Sequence, residues 1–216
     1  MESGLCAKLE KILSDEHMTT FIRHRILISG GDELHNLQKD DIQSVIDLGK
    51  YICENDSCSE MMQKCDNCKQ CGGRCCQNYG CGIYPWDIKA NMNITEDDIW
   101  KAIETGNVAI DDYIPFDGEN VLFLRMRHVH SPIFDESYGG VCVMFDPKKG
   151  CKLSFDKRPS GGKFLVVNDK DCEEIFTKRE IAICWLPYQD ILRSVITRLD
   201  EYPIYNIIDD FLPYIG

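Results

Sequence analysis

Six cysteines fall within seventeen residues of this chain, spaced Cys65-x2-Cys68-x2-Cys71-x3-Cys75-Cys76-x4-Cys81. Such spacing constrains local structure before any hydrophobic pattern does. Two residues between cysteines let a tight turn aim both thiolates at one metal, while nearby backbone N–H groups point back at the sulfurs. A thioredoxin-like redox pair would follow a strand and open a helix. The stretch from Cys65 to Gly82 instead holds four glycines and is too polar for a regular element. Metal ligation is therefore the expectation. One tetrahedral ion takes four thiolates and this segment offers six, while adjacent Cys75 and Cys76 would strain a shared tetrahedron. That pair is expected to serve two metals or to bridge them.

The other cysteines, from a total of 13, extend the pattern. Cys142 and Cys151 flank a turn, nine positions apart, and Cys172 stands in a loop beyond them. The cysteine-rich loop and this hairpin are expected to close around one multinuclear site or two neighbouring sites. Cys6, Cys53 and Cys184 sit in apolar helical patterns and read as small buried thiols, while Cys58 lies too far upstream to place. An odd count argues against a disulfide scaffold. The opening MESGLCAKLEK lacks the apolar run of a signal peptide, so the cytoplasm, where thiols stay reduced, is the expected compartment. Charges or prolines interrupt every apolar run, and no membrane span is expected.

With 36 acids against 24 bases the chain has a net charge of −12, which speaks against a general nucleic-acid binder. The cysteine-bearing segments are the exception. Residues 61 to 83 carry Lys64, Lys69 and Arg74 against Asp66 alone. Residues 140 to 165 carry Lys148, Lys149, Lys152, Lys157, Arg158 and Lys163 against Asp146 and Asp156. Cations beside thiolates bound to a divalent ion stabilise the residual negative charge and lower the thiol pKa values. Arg125 and Arg127, two apart on a strand, are expected to join that basic face; with Lys163 they are candidates for a pocket beside an open metal position. Lys148 and Lys149 are equally well explained as an exposed turn. A basic rim would also hold an anionic substrate.

Hydrophobic residues make up 44% and charged residues 28%, a globular composition. The expected fold is α+β, a single domain over residues 1–216: a helical N-terminal layer (1–64), a cysteine-cluster metal-binding region (65–173) and C-terminal helices (174–216). In the first layer one helix carries Leu5 to Leu13, a second runs from the Ser14 cap to Gly30-Gly31, and a third spans Asp40 to Cys53 with Ile42, Val45, Ile46, Gly49 and Ile52 as its stripe. Pro85 opens a short helix, and Thr95 caps another that Gly106 ends. Residues 113 to 127 read as a hairpin turning at Asp117-Gly118, and Val141–Phe145 with Cys151–Phe155 as a second. Phe164 to Val167 adds a short strand. Thr177 and Glu180 form a capping-box pattern, Pro187 interrupts the run that follows, and the next helix carries Ile191 to Leu199. Pro203 to Leu212 is a last short helix.

The Cys65 to Cys81 block, Cys142-Val143-Met144-Phe145, Gly150-Cys151-Lys152-Leu153 and Arg158-Pro159 together resemble the YkgJ-type cysteine-cluster family. Its signature is CxxCxxCC, then a strand with Cys-x-aromatic or leucine, then Gly-Cys followed by Arg-Pro. The resemblance implies a zinc- or iron-chelating domain, with Cys68, Cys71, Cys75, Cys76, Cys142 and Cys151 at the ligand positions. Two departures bear on the ligand set. Three residues rather than two precede the double cysteine, so either Cys65 or Cys68 opens the motif. Where members place a further cysteine after Arg-Pro this chain reads Ser160-Gly161-Gly162-Lys163, leaving Cys172 as the substitute. A flagellin lysine methylase carries a similar cluster, so the resemblance permits protein modification.

The remaining signals are weaker. His128 and His130 stand two apart, as paired ligands would, but two polar residues entering a loop explain them better. His17 and His24 read as solvent-facing, and Trp86, Trp100 and Trp185 as core or boundary aromatics. Asp97-Asp98, Asp111-Asp112 and Asp209-Asp210 read as caps or surface acids. Phosphate-cradling, dinucleotide and nucleophile-elbow motifs are absent. The first functional expectation is a metal-binding protein that chelates zinc or an iron or iron–sulfur centre through its cysteines, open to redox or protein-modification chemistry. The alternatives are a zinc-stapled binding module without catalysis and a metal storage or delivery protein.

Overall fold

The structure, a computed structural model, describes residues 34, 37–54, 72–115, 119–137, 139–167, 172–174 and 176–201. Of Cys75, Val166, Val167, Cys172–Glu174, Asp200 and Glu201 it describes the backbone alone. The first two expected helices, Cys58, Cys65, Cys68, Cys71, the Asp117-Gly118 turn and the helix expected from Pro203 lie outside the described residues.

The fold is α+β, as the sequence predicts. Its elements are α1 (Lys39–Glu54), α2 (Arg74–Asn78), β1 (Gly82–Ile83), α3 (Pro85–Ile88), α4 (Glu96–Glu104), β2 (Val108–Tyr113), β3 (Val121–Met126), β4 (Phe145–Asp146) and β5 (Gly150–Cys151). There follow α5 (Ser160–Lys163), β6 (Leu165–Val167), β7 (Cys172–Glu174), α6 (Lys178–Trp185) and α7 (Gln189–Glu201). Among the described residues three antiparallel sheets form, ordered β1-β3-β2, β4-β5 and β6-β7.

Local chemistry explains the helix ends. Thr95 Oγ1 accepts from the Asp98 N–H while the Asp98 carboxylate accepts from the Thr95 N–H at 2.9 Å, and α4 stops before Gly106 at φ 72°. Thr177 and Glu180 cap α6 in the same reciprocal way. Pro187 falls in a 3-10 turn, Leu186–Tyr188, that separates α6 from α7. On α1 the expected stripe is buried at Val45, Ile46, Gly49 and Ile52.

The first hairpin differs from expectation. Its partner strand begins at Val108 rather than residue 113, and Val108 to Tyr113 pair with Met126 to Val121. All six residues of β3 are buried, so its alternation does not separate a wet face from a dry one. The cause is its place at the centre of the sheet, between β1 and β2, with α6 and α7 packed against it. Trp185, fully buried, ties α6 to β1 by donating its indole N–H to the Ile83 carbonyl at 2.7 Å. Residues 133 to 135 cover the β2 edge: the Ile110 N–H donates to Ile133 O and the Asp135 N–H to Ile110 O. An aromatic cluster of Tyr84, Trp86, Phe164 and Phe176 fills the space between α3, α5 and α6, with Tyr84 stacked on Trp86 at 4.7 Å.

The second hairpin is also shorter than expected, with Phe145 opposite Cys151 and Asp146 opposite Gly150. Residues 141 to 144 leave that ladder to run beside residues 127 to 129, because the Val129 N–H donates to Val141 O and the Val143 N–H to Arg127 O. The strand expected at Phe164 starts one residue later, since Phe164 closes the short helix α5, which the sequence reading did not anticipate. Cys172 lies in β7, opposite Val167, rather than in a loop. Among the described residues no helix is long and apolar enough to cross a membrane.

Candidate thiol-lined cavity

Part of the cysteine-rich segment is helical, against expectation: Arg74–Asn78 forms one turn that contains Cys75 and Cys76. Gly73 precedes it at φ 74°, where a Cβ would meet the Gly150 Cα at 2.9 Å, so only glycine lets β5 come this close. The Cys76 carbonyl accepts the Cys142 N–H at 2.8 Å, and the Asn78 carbonyl accepts the Gly140 N–H at 2.9 Å. After the helix the chain crosses β3. There a Cβ on Gly80 would lie 1.9 Å from the Met126 carbonyl oxygen, and the Cys81 carbonyl accepts the Met126 N–H.

These contacts gather thiols from four places in the sequence. Cys76, Cys81, Cys142 and Cys151 all line one cavity of about 410 Å³. Cys142 and Cys151, expected to flank the hairpin turn, both reach the cavity, Cys151 from the β4-β5 ladder and Cys142 from the stretch that runs beside residues 127 to 129. Cys142 is buried and forms an isolated bridge with His128, while the other three are half-buried. The Cys76 and Cys151 side chains are hydrogen-bonded to each other. That bond, the Leu153 N–H and the Arg158 guanidinium outweigh desolvation and bring the Cys151 thiol down to about 6. Cys151 is therefore drawn towards the thiolate. Cys184 is the opposite case: fully buried, its thiol is pushed well up by desolvation and by Glu180. Cys53 departs from the buried-thiol reading, being half-buried with its Sγ donating to Ser160 Oγ at 3.3 Å.

Arg158 is held in place by a network that the sequence reading missed. The Ser160 N–H and hydroxyl both donate to Asp87, the hydroxyl at 2.7 Å, while Ser160 Oγ accepts the Trp86 indole N–H at 2.8 Å. Asp87 also accepts the Tyr84 N–H at 2.9 Å. Ser160 is buried, so its loss would leave several donors and acceptors unpaired. The network fixes the Arg158-Pro159-Ser160 corner to α3, and Arg158 donates from Nε to the Leu153 carbonyl at 3.4 Å.

A second polar feature borders the cavity, and it corrects the expected basic face. Arg125 and Arg127 are 3% and 2% exposed, and Asp111 and Asp112 are 3% and 5% exposed rather than at the surface. Arg125 donates to Asp111 Oδ2 at 2.8 Å, to Asp135 Oδ2 at 2.5 Å, and to the Met126 and Asp135 carbonyls. Lys178 reaches the other Asp111 oxygen at 3.2 Å and stands over the Phe123 ring. Burial pushes the Asp135 carboxyl up, but Ser137 and Arg125 overcome it and set it at about 2. His128 is 4% exposed and accepts the Gly80 N–H on Nε2 at 3.1 Å, while Nδ1 lies 3.3 Å from Asp135 Oδ2. Desolvation and Arg125 lower its pKa. His130 is exposed at φ 62°, so the two histidines do not act as a pair.

Among the described residues no group of three or more His, Cys, Asp or Glu side chains is arranged to hold a metal ion. The described thiols supply a contacting pair, Cys76 and Cys151, with Cys81 and Cys142 on the same cavity. Of these the Cys151 thiol is acid-shifted, and thiolates are soft donors. The side chains of Cys75 and Cys172, and all of Cys65, Cys68 and Cys71, lie outside the description. No protein-family model, curated protein or solved structure matches the chain.

Proposed function

We propose that this protein binds zinc or an iron centre through thiolates, with Cys76 and Cys151 as the contacting pair and Cys81 and Cys142 beside them. The remaining ligands come from Cys65, Cys68, Cys71 and Cys75, with Cys172 as a further candidate. What carries the reading is the convergence of Cys76 and Cys81 from the cysteine-rich segment with Cys142 and Cys151 on one cavity, the Cys151 thiol brought down to about 6. Unligated thiols so gathered in a reducing compartment have no packing advantage over small apolar residues, whereas a thiolate beside a cation is what a soft metal selects. The resemblance to the YkgJ-type family points the same way. Bound metal supplies Lewis-acid or, for iron, electron-transfer chemistry. Arg158 balances thiolate charge, Ser160 and Asp87 position Arg158, and His128 holds Gly80 so that Cys81 keeps its place.

The test is metal and acid-labile sulfide analysis, with a visible spectrum, on protein purified without air. The expected result is near-stoichiometric zinc or iron that Cys76→Ala loses together with thermal stability, because binding free energy at such a site is folding free energy. Iron with sulfide and a colour that dithionite bleaches would identify a redox-capable centre; colourless protein with tightly held zinc would favour a stapled module. Metal-free protein whose stability chelator and Cys76→Ala leave unchanged refutes the reading.

A further inference from the structure

We infer that Cys76 and Cys151 form a redox-modification site: a reversible disulfide that a low-molecular-weight disulfide, such as glutathione disulfide, installs and that thiols remove. The pair deepens the metal reading by naming a regulation of the same site, and only its consequence for bound metal rests on that reading. The two side chains, from α2 and β5, are hydrogen-bonded to each other. The backbone holds them there. Gly73 and Cys76, three apart on the turn that the Gln77 N–H closes on the Gly73 carbonyl at 3.0 Å, share one face. That face meets β5: a Cβ on Gly73 would lie 2.9 Å from Gly150 Cα, and Cys151 is the next residue. Cys76 is fixed through its carbonyl, which accepts the Cys142 N–H, and Cys151 through its pairing with Phe145. A disulfide needs Cα atoms within about 7 Å and converging Cβ atoms. Two thiols already in contact on segments pinned in this way need little backbone movement to meet that demand.

Access selects this pair among the described thiols. Cys142 and Cys184 are buried, whereas Cys76 and Cys151 are half-buried and both line the cavity, so a small reagent reaches either sulfur. Cys81 shares the cavity but packs towards α5, where a Cβ on Gly162 would lie 3.3 Å from its Sγ. The exchange balances. One thiolate of the pair attacks a sulfur of glutathione disulfide, forming a mixed disulfide and expelling one glutathione thiolate. The second protein thiolate attacks the protein-bound sulfur of that mixed disulfide and expels the other glutathione. One protein S–S bond forms, the glutathione S–S bond breaks, and the protons of the two protein thiols end on the released glutathione. The protein sulfurs are oxidised by the two electrons that reduce glutathione disulfide. A sulfur tied up in a disulfide offers no thiolate, so bound metal loses both members of its contacting pair.

The experiment equilibrates the full chain, as isolated and with its metal content measured, in mixtures of reduced and oxidised glutathione. Remaining thiols are then blocked and disulfides mapped by trypsin and mass spectrometry. We expect the first linkage to join tryptic peptide 150–152 to tryptic peptide 75–89, with fragmentation placing the bond on Cys76 rather than Cys75 or Cys81. It should form in mixtures about tenfold or more reducing than those needed in urea with chelator, since the folded chain holds the two sulfurs together. Any metal present should leave in step with the linkage, and dithiothreitol should reverse it. Cys76→Ser should leave Cys151 unlinked with the circular dichroism spectrum retained; if that variant does not fold, fragmentation of the parent linkage decides alone. A first linkage between other cysteines, no linkage in any mixture, a linkage that forms as readily in urea, or metal retained by the linked protein would each overturn the inference. Protein that holds metal and never forms the linkage refutes this inference alone; protein that forms it and holds no metal refutes the metal reading alone.

Discussion

Two polar groupings face the same cavity, and they differ in how their demands are met. The cluster of Asp111, Arg125, Asp135, His128 and Lys178 answers itself: Arg125 makes four hydrogen bonds, two of them to carboxylates, and both ring nitrogens of His128 have partners. Its formal charges cancel, two cations against two carboxylates with a neutral imidazole. The thiol wall does not answer itself. Thiols are weak hydrogen-bond partners, and Cys151 is drawn towards the thiolate by neighbours that gain most when it is charged. A buried network that is complete specifies the fold, whereas one that favours a reactive ionisation state prepares for something that is not protein.

The comparison breaks most directly at Arg125. Arg125→Met would leave Asp111 and Asp135 buried without their guanidinium and should cost about 3–5 kcal/mol in denaturant unfolding. That loss should depend little on chelator, because the hydrogen bonds Arg125 makes go to carboxylates and carbonyls and not to a thiol. Cys151→Ser should behave in the opposite sense, losing most stability while metal is present and about 1 kcal/mol after chelation. Equal chelator dependence for the two variants would erase the distinction between a structural and a functional grouping.

Ser160→Ala comes next in size. It removes one donor to Asp87 and the acceptor of the Trp86 indole, at a cost of about 1–3 kcal/mol. If the Ser160 corner positions Arg158, the same variant should raise the Cys151 pKa, read as an upward shift in the pH midpoint of iodoacetamide labelling. Destabilisation without that shift would make Ser160 a fold residue only.

How far these features could be read beforehand depends on the range of the interactions. The caps at Thr95 and Thr177 and the break at Pro187 are set within four residues, and the sequence carries them outright. Cysteine spacing foretold that Cys76, Cys81, Cys142 and Cys151 share a region, because thiol chemistry restricts what so many cysteines can do. Arg125 was misread because alternation identifies a strand without telling an edge from a centre, and β3 is central. Its partner Asp135 lies beyond the strand, in a segment with no pattern of its own. Ser160 and Asp87 are 73 residues apart. A usable hint did exist: an aspartate two positions after Pro85 is placed to cap α3, which puts a carboxylate where another chain segment can use it.

The thiol wall can be sharpened through the order of its contributions. In chelator-treated protein Cys151 should label with a midpoint near 6, far below an ordinary thiol. Cys76→Ala should raise that midpoint more than Arg158→Gln does, since the Cys76 hydrogen bond is the largest influence and Arg158 a smaller one. The reverse order would move the source of acidity from the paired thiol to the cation. It would also recast the wall as an anion site that happens to contain sulfur.

The smallest effect belongs to His128. Its pKa is lowered on folding, by desolvation first and by Arg125 second, so between the folded value and the unfolded 6.5 the unfolded chain binds the extra proton. The stability that neutral His128 contributes is thus complete above about 6.5 and declines as pH falls below it. Protonation would also replace the acceptor for the Gly80 N–H with a donor, loosening the turn that leads into Cys81. His128→Gln should flatten the pH dependence of unfolding below about 6.5 while leaving stability at pH 8 little changed. A variant that keeps the full acid slope would assign it to the carboxylates, with Asp135 the first to examine, and would leave His128 as a spacer between the two groupings.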